Sequence, residues 1–383
     1  MKVPLLDLTR QYKSIKEDIN FNLNNVLCSQ SFILGKEVDE LERKIAEYCG
    51  TEYAIGVASG TDALLLSLRA LEIGNGDFVV TTPFTFFSTA GVIHNVGATP
   101  VFIDIRKDTY NIEPERFQEL LDGKSFHHQR FSIDNSRIKA IIPVHLYGQI
   151  ANMDAIMDIA REYSIAVVED AAQAIGSEYK RKRAGSIGNL GCFSFFPTKN
   201  LGGFGDGGII TTKDKMLEEK LRKLRVHGGG MGYYHSMIGF NSRLDTIQAA
   251  VLLAKLPHLD DWNNKRDKNA VSYSERLKNI TGIETPTECD NRKHIYHQYT
   301  IRIKNGKRDS LQKFLKEKNI GTKVYYPLPL HLQECFSNLG YKRGDFPVSE
   351  EAANMVLSLP IFPELTLDEI DYTCESIREF MSL

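Results

Sequence analysis

The sequence predicts an α/β protein with a mostly parallel central sheet, followed by a smaller C-terminal α+β domain. Short apolar, β-branched runs alternate with helical patterns through the first half of the chain, which is typical of a parallel sheet covered on both faces. A chain of 383 residues is too long for one small core, so two domains are expected. The pattern changes after residue 208, and we place the boundary near Pro257, which predicts domains of residues 1–256 and 257–383.

The elements of the large domain follow one another at short intervals. Apolar residues at helical spacing run from about Tyr12 to Tyr48, and Gly50 is a candidate C-cap. Strands are predicted at residues 53–57, 78–81, 99–104, 138–144, 165–169 and 209–212. Helices are predicted at residues 62–71, 88–95, 153–162, 213–226 and 246–256, with a flexible loop at 227–232.

The predicted small domain begins with a long helix from about Leu259. Strand-like pieces follow at residues 297–303 and 322–326, together with two more helices. In the large domain a polar insert at residues 121–135, which contains His127 and His128, interrupts the pattern. Adjacent histidines can bind a metal, but no third ligand is near, so a solvated surface loop is expected.

The composition is that of an ordinary globular protein. Lys and Arg number 47 and Asp and Glu 49, so the net charge of −2 suggests neither a nucleic-acid partner nor a membrane surface. No window approaches the roughly 20 apolar residues of a membrane span, and the first residues lack the apolar core of a signal peptide. The six cysteines are scattered, which favours neither a zinc site nor disulfides. A reducing cytoplasm is therefore expected.

A lysine in a glycine-rich stretch is the first candidate for chemistry. Lys199 lies five residues after Ser194 and is followed by glycines between residues 202 and 208. A lysine is a covalent catalyst when its amine is neutral and held in place, and the glycines would let the backbone approach a flat ring or a phosphate. The alternative is a solvated lysine in a surface loop. This stretch alone leaves both open.

Two further stretches follow predicted strands. Residues 59–63 (Ser-Gly-Thr-Asp-Ala) would place backbone N–H groups at a helix N-terminus, either as a phosphate seat or as a capping turn. Asp170 would project a carboxylate into the crevice at the strand ends. Opposite a pyridine nitrogen it would keep that nitrogen protonated; alternatively it caps the next helix. Gln173 could donate a hydrogen bond to a phenolic oxygen.

Other residues carry weaker signals. Phe86 could stack on a flat cofactor or belong to the core. His145 is either a polar contact near such a ring or a structural histidine, and the sequence does not decide. Arg243 could meet a phosphate or carboxylate and Asn241 a phosphate, whereas Asp245 is expected to cap the apolar helix.

In this order, residues 59–63, 169–173 and 194–199 resemble the three signatures of the nucleotide-sugar aminotransferases, the DegT/DnrJ/EryC1/StrS family. The resemblance extends from about Leu5 into the C-terminal domain. It implies the aspartate aminotransferase-like fold, known as fold type I of the pyridoxal-phosphate enzymes. Residues 1–256 would then be the cofactor-binding domain with an N-terminal helical segment.

The resemblance also implies roles for the candidate residues. Lys199 would bind pyridoxal 5′-phosphate as a Schiff base and then shuttle a proton between the substrate α-carbon and C4′ of the cofactor. Asp170 would pair with the ring nitrogen, Gln173 with the phenolic oxygen, and Phe86 would stack on the ring. The residues expected to hold the phosphate are Gly60, Thr61 and Ser194. Asn241 and Arg243 are similar to residues that reach the cofactor of the neighbouring subunit, which implies a homodimer with shared active sites.

The implied reaction is a two-step transfer from an amino acid, usually glutamate, to a keto sugar nucleotide. Relatives with histidine in place of the lysine are dehydratases, and Lys199 argues against that branch. Residues 205–208, 241–245 and 326–333 look more like members that aminate C3 of dTDP-3-keto-6-deoxyhexoses than like those that act at C4. The alternatives are a C4 aminotransferase, a dinucleotide-dependent oxidoreductase, for which no early G-x-G-x-x-G is found, and a non-catalytic regulator that binds the cofactor.

Overall fold

A seven-stranded sheet is the centre of the protein, which we describe from a computed structural model for residues 1–131, 133–229 and 233–382. The strands of the chain are β1 (Tyr53–Val57), β2 (Phe78–Thr81), β3 (Thr99–Phe102), β4 (Ile138–Ile141), β5 (Ala166–Asp170), β6 (Glu178–Tyr179), β7 (Lys182–Arg183), β8 (Leu190–Ser194), β9 (Gly208–Thr212), β10 (Ile283–Glu284), β11 (Arg292–Lys293), β12 (Tyr299–Ile303) and β13 (Val356–Leu359). The order in the large sheet is β1-β9-β8-β5-β4-β2-β3. Neighbouring strands from β3 to β8 pair in parallel, whereas β9 is antiparallel to both β8 and β1. The predicted mostly parallel sheet is confirmed.

Helices cover both faces of this sheet. The helices of the chain are α1 (Leu8–Ser29), α2 (Lys36–Cys49), α3 (Gly60–Ala70), α4 (Phe87–Asn95), α5 (Pro114–Leu121), α6 (Phe126–Arg130), α7 (Met153–Glu162), α8 (Lys215–Leu224), α9 (Thr246–Lys255), α10 (Leu259–Leu277), α11 (Arg308–Glu317), α12 (Pro347–Met355) and α13 (Leu367–Met381). Helices α3, α4 and α8 pack on one face, and α2, α5, α7 and α9 on the other. In β5 the buried Val167 and Val168 point to opposite faces, as the pleat of a strand requires.

A second sheet, antiparallel β10-β12-β13, organises the C-terminal part of the chain. Its apolar cluster takes in residues of α10, α11 and α13. Val3 is fully buried in the same cluster and pairs with Ile320, so the first residues of the chain belong to this core. The division into domains of residues 1–256 and 257–383 stays a prediction.

The structure corrects one local prediction and adds strands that were not predicted. Residues 12–48, where helical spacing was noted, form two helices that are separated by a turn at Gln30, where φ is 54°. Strand β8 was not predicted; it contains Gly191, a residue type that is depleted in strands, and no β-branched residue. Residues 322–326 form no strand; Lys323 makes a single bridge to Ser358. A strand that was not predicted, β13, supplies that partner.

Part of the insert at residues 121–135 departs from the solvated loop that was predicted. Residues Phe126–Arg130 form a short helix, and His127 is 1% exposed because its ring packs against the rings of Phe126, Tyr341 and Phe346. Within the described ranges no cluster of His, Cys, Asp and Glu could hold a metal ion, and no described helix is long and apolar enough to cross a membrane. Residues 230–232 of the predicted flexible loop lie outside the described residues.

Candidate active site

A cavity of about 630 Å³ opens at the carboxyl ends of the parallel strands. This is where an open α/β sheet places its binding crevice. Seven of the nine residues predicted from the sequence line it, namely Gly60, Thr61, Phe86, Asp170, Gln173, Ser194 and Lys199. The other two, Asn241 and Arg243, do not line it; Asn241 is exposed and Arg243 half-buried.

One wall of the cavity is a helix N-terminus held against a strand end. Helix α3 begins at Gly60, and the Ser59 hydroxyl caps it by accepting a hydrogen bond from the N–H of Asp62 at 3.0 Å. A Cβ on Gly60 would lie 2.6 Å from Cβ of Ser194, and a Cβ on Gly208 only 2.4 Å from the carbonyl oxygen of Ser59. Both positions therefore require glycine for the close approach. Free N–H groups at this terminus favour an anion such as a phosphate.

Asp170 ends β5 and is 5% exposed. Its Oδ2 accepts a hydrogen bond from the Thr89 hydroxyl at 2.8 Å, and its Oδ1 accepts one from the N–H of Ala172 at 3.2 Å. Burial raises the pKa of the carboxyl, and these two hydrogen bonds oppose the rise. The alternative role as a helix N-cap is wrong, because turns rather than a helix follow β5. Asp170 is a rigidly held carboxylate that faces the cavity.

Lys199 lies in the turn after β8, and its side chain enters the cavity. Its position is half-buried, so it is not the solvated surface lysine of the alternative interpretation. Burial lowers the pKa of its amine to about 8, while the charge of Asp170 acts in the opposite direction. An amine with this pKa is neutral in a useful fraction of molecules near neutral pH, as a nucleophile or general base must be.

Gln173 is held in one orientation by two tyrosines. The N–H of Tyr147 donates to Gln173 Oε1 at 2.8 Å, and Gln173 Nε2 donates to the Tyr326 hydroxyl at 3.1 Å. Because the oxygen is taken by a backbone donor, the amide nitrogen must be on the other side. Its second hydrogen remains for a ligand. The backbone of Tyr147 has a φ of 59°. Its hydroxyl donates to the carbonyl of Tyr325, so the hydrogen bonds around Gln173 connect the N-terminal and C-terminal halves of the chain.

Behind Asp170 lies a buried acid–histidine pair. Nε2 of His145 donates to Oε2 of Glu169 at 2.9 Å, while Nδ1 accepts from the N–H of Ala151 at 3.3 Å. Glu169 also accepts three backbone hydrogen bonds, from Gly185, Ile187 and Gly188. Burial alone would raise the pKa of Glu169, but the hydrogen bonds from His145 and the backbone lower it. His145 is therefore a structural histidine, which answers the question that the sequence left open.

The C-terminal half of the chain supplies cavity residues that sequence reasoning missed. They are His297, Gln298, Lys323, Val324 and Tyr325, with Gln333 in a segment noted only for its resemblance. No short motif marks them, since they are separated from Lys199 by about a hundred residues or more. Burial and the nearby Lys199 hold the pKa of His297 well below its usual range, so this ring is neutral. Asp245 is at the N-cap position of α9, but its side chain makes no capping hydrogen bond.

The chain has relatives that match it over almost its full length, and three of them illustrate the likeness. It is 50% identical over 382 residues to the pleiotropic regulatory protein of Geobacillus stearothermophilus, covering 99% of each chain. It is 42% identical to the dTDP-3-amino-3,6-dideoxy-alpha-D-galactopyranose transaminase of Aneurinibacillus thermoaerophilus, covering 99% of each. It is 41% identical to the UDP-N-acetyl-3-dehydro-alpha-D-glucosamine 3-aminotransferase of Acidithiobacillus ferrooxidans, covering 98% of this chain and 97% of that one.

Solved structures share the fold over the same length. DesV of S. venezuelae superimposes with a TM-score of 0.93 at 38% identity, covering 100% of this chain and 99% of DesV. NtdA of Bacillus subtilis, solved with bound cofactor PMP, has a TM-score of 0.88 at 30% identity, covering 100% of this chain and 86% of that one. Residues 13–378 match the model of one family. The chain belongs to the DegT/DnrJ/EryC1/StrS aminotransferase family.

Proposed function

We propose that this protein uses pyridoxal 5′-phosphate to move an amino group from an amino acid, with glutamate as the expected donor, to a keto sugar nucleotide. One observation carries the proposal: Lys199, Asp170 and the N-terminus of α3 meet in a single cavity. They match an aldehyde, a pyridine nitrogen and a phosphate, the three polar ends of this one cofactor.

The residues present fit the cofactor. When bound, it supplies an aldehyde that carries the amino group and a ring that accepts electrons. Lys199 would hold it covalently, while the phosphate would lie at the α3 terminus between Gly60, Thr61 and Ser194, where a Cβ on Gly60 would intrude. Phe86 is 55% exposed beside the cavity, so its ring is free to stack on a flat ligand.

The protein's own groups would manage the protons. The buried Asp170 carboxylate would hold a proton at the ring nitrogen, since an ion pair there satisfies a charge that is otherwise costly to bury. Lys199, once its amine is free, would take a proton from the substrate α-carbon and deliver it to C4′ of the cofactor. In the cofactor-free protein burial lowers the pKa of this amine to about 8, towards neutral pH, where a general base is most effective. Gln173 would offer its second amide hydrogen to the phenolic oxygen.

For the acceptor, we propose a dTDP-3-keto-6-deoxyhexose aminated at C3. This is supported by the resemblance of residues 205–208, 241–245 and 326–333 to C3 enzymes. It is also supported by the names of two relatives, each of which refers to a 3-amino group or a 3-aminotransferase. One of those names contains UDP and the other dTDP, so the relatives do not distinguish between the two nucleotides. The choice of dTDP therefore rests on the resemblance of the sequence alone. The alternative is amination at C4 of an NDP-4-keto-6-deoxyhexose.

We further propose that the protein is a homodimer with shared active sites and that it works in the cytoplasm. Asn241 is exposed and outside its own chain's cavity, and Arg243 does not line that cavity either. Both are therefore free to reach the cofactor of a second copy, which a two-fold symmetric dimer permits reciprocally. Exposed Phe196 and Phe204 are apolar side chains that an interface would cover.

A regulatory role is the second candidate, because the relative with 50% identity is named a pleiotropic regulatory protein. A regulator that only binds the cofactor would have no need for an amine with a lowered pKa, and Lys199 has one. The dinucleotide-dependent oxidoreductase considered from the sequence is wrong, since the chain belongs to an aminotransferase family.

Absorption spectroscopy tests the proposal. The purified protein, loaded with pyridoxal 5′-phosphate, should be yellow and lose that colour on adding glutamate. A dTDP-linked 3-keto sugar should restore the colour, whereas a 4-keto isomer and UDP-linked 3-keto sugars should restore it more slowly. Faster recovery with the 4-keto sugar would favour the alternative acceptor. Binding of the cofactor without any response to amino acids would favour the regulator.

A further inference from the structure

We propose that Lys323 binds the diphosphate of the acceptor and so determines where the sugar nucleotide lies. The inference rests on the proposed function and names a residue for substrate recognition. It starts from the charges in the cavity. Among the described residues that line the cavity, Lys199 and Lys323 are the side chains that carry a positive charge. His297 also lines it, but its ring is neutral because its pKa is lowered. Lys199 is committed to the cofactor, which leaves Lys323 for the substrate.

Lys323 lies at the entrance of the cavity, and hydrogen bonds fix the position of its backbone. Its side chain is exposed, yet its backbone is bound to β13: its N–H donates to the carbonyl of Ser358 at 3.2 Å, and its own carbonyl accepts from Ser358 at 2.8 Å. Three residues later, Tyr326 bonds to Gln173 deep in the cavity. Three residues span at most about 10 Å. The segment from 323 to 326 therefore connects the exposed Lys323 with a residue that contacts Gln173 inside the cavity, over no more than this distance.

The ammonium of Lys323 is available for a ligand. Other lysines of this half bind carboxylates: Lys304 pairs with Glu284 at 2.6 Å and Lys318 with Glu379 at 2.9 Å. Over residues 1–131, 133–229 and 233–382, no carboxylate pairs with Lys323. Gln298 and Gln333 line the same cavity and can donate from uncharged amides, and the carboxylate of Asp206 lines it as well. A lysine ammonium without a carboxylate partner suits a phosphate oxygen.

Both substrates are anions, and the position of Lys323 favours the acceptor. The α-carboxylate of an amino acid is attached to the reacting carbon, so it must stay deep in the cavity near Lys199. The sugar nucleotide must extend from the reacting carbon to the entrance, where its doubly charged diphosphate would meet Lys323.

The test uses the cofactor-loaded protein with Lys323→Ala, Lys323→Arg and, as a matched control, Lys313→Ala, which removes an exposed charge on α11 outside the cavity. Calorimetry gives the affinity for dTDP and UDP, with thymidine and uridine as probes that lack phosphate. Lys323→Ala should weaken binding of the preferred diphosphate about tenfold, the low end for a charge-assisted hydrogen bond. Lys323→Arg should restore most of it, and nucleoside binding should not change.

The glutamate half-reaction separates this inference from the proposed function. Loss of colour with glutamate should proceed at the wild-type rate in Lys323→Ala, while the KM for the keto sugar nucleotide rises. A Lys323→Ala variant that binds dTDP and UDP as tightly as the wild type would overturn the inference, and so would a slowed glutamate step with unchanged diphosphate affinity, since Lys323 would then serve the donor. Failure of the wild type to react with glutamate would instead refute the proposed function.

Discussion

The depressed pKa of Lys199 leads to a quantitative prediction for the cofactor-free protein. An ordinary lysine has a pKa of 10.5, whereas burial lowers that of Lys199 to about 8. At pH 7 the neutral amine would then make up about one tenth of Lys199, against about one in 3,000 for an ordinary lysine, a gain of about 300-fold. The sign follows from burial, which disfavours the charged form, so the amine loses its proton at lower pH.

Competitive acylation across pH, read by mass spectrometry, measures this directly. The reactivity of Lys199 should rise with a midpoint near pH 8, and the exposed Lys313 serves as the internal reference in the same sample. Asp170→Asn should move the Lys199 midpoint to lower pH, because the carboxylate's attraction opposes burial. Asp206→Asn is the matched control: this carboxylate also lines the cavity but is not among the causes of the shift. A Lys199 midpoint near 10.5, or one that Asp170→Asn leaves in place, would refute the reasoning.

Three further predictions concern the site and the assembly. Lys199→Ala should leave a folded protein that has lost the yellow bound form and turnover, by activity and spectrum; near-normal turnover would contradict the assignment. Gly60→Ala should weaken cofactor binding roughly tenfold and cost about 1–3 kcal/mol of stability, because its Cβ would lie 2.6 Å from Cβ of Ser194. Gly74→Ala, whose Cβ would meet nothing closer than 3.6 Å, is the control in thermal melts and cofactor titration. The last prediction concerns two variants, Lys199→Ala and Arg243→Ala, each of which should be inactive alone. If active sites are shared across a two-fold dimer, unfolding, mixing and refolding the two variants should restore about a quarter of wild-type activity. No recovery of activity would mean that the sites are not shared.

The sequence by itself determined much of the large sheet and most of the cavity. Strand β1 was predicted with the observed bounds, and β2 as well, because a buried strand between helices needs a short apolar run and this pattern is local. The carboxyl ends of such strands share one edge of the sheet, so Asp170 and the turn before α3 could be placed in one crevice before any contact was known. The glycines around Lys199 could be recognised in the same way, since close backbone approach leaves few other residues possible.

Only the tertiary structure decided which polar groups have partners and what the second half of the chain brings to the site. His145 could not be assigned from the sequence, because its role depends on a buried carboxylate 24 residues away. His127 is buried by Tyr341 and Phe346, more than 200 residues later in the chain, so the polar sequence around it was misleading. Lys323 and Tyr326 reach the cavity through pairing with β13 and a bond to Gln173. Packing between distant parts of the chain determines where these residues lie, and local sequence patterns do not reveal that packing.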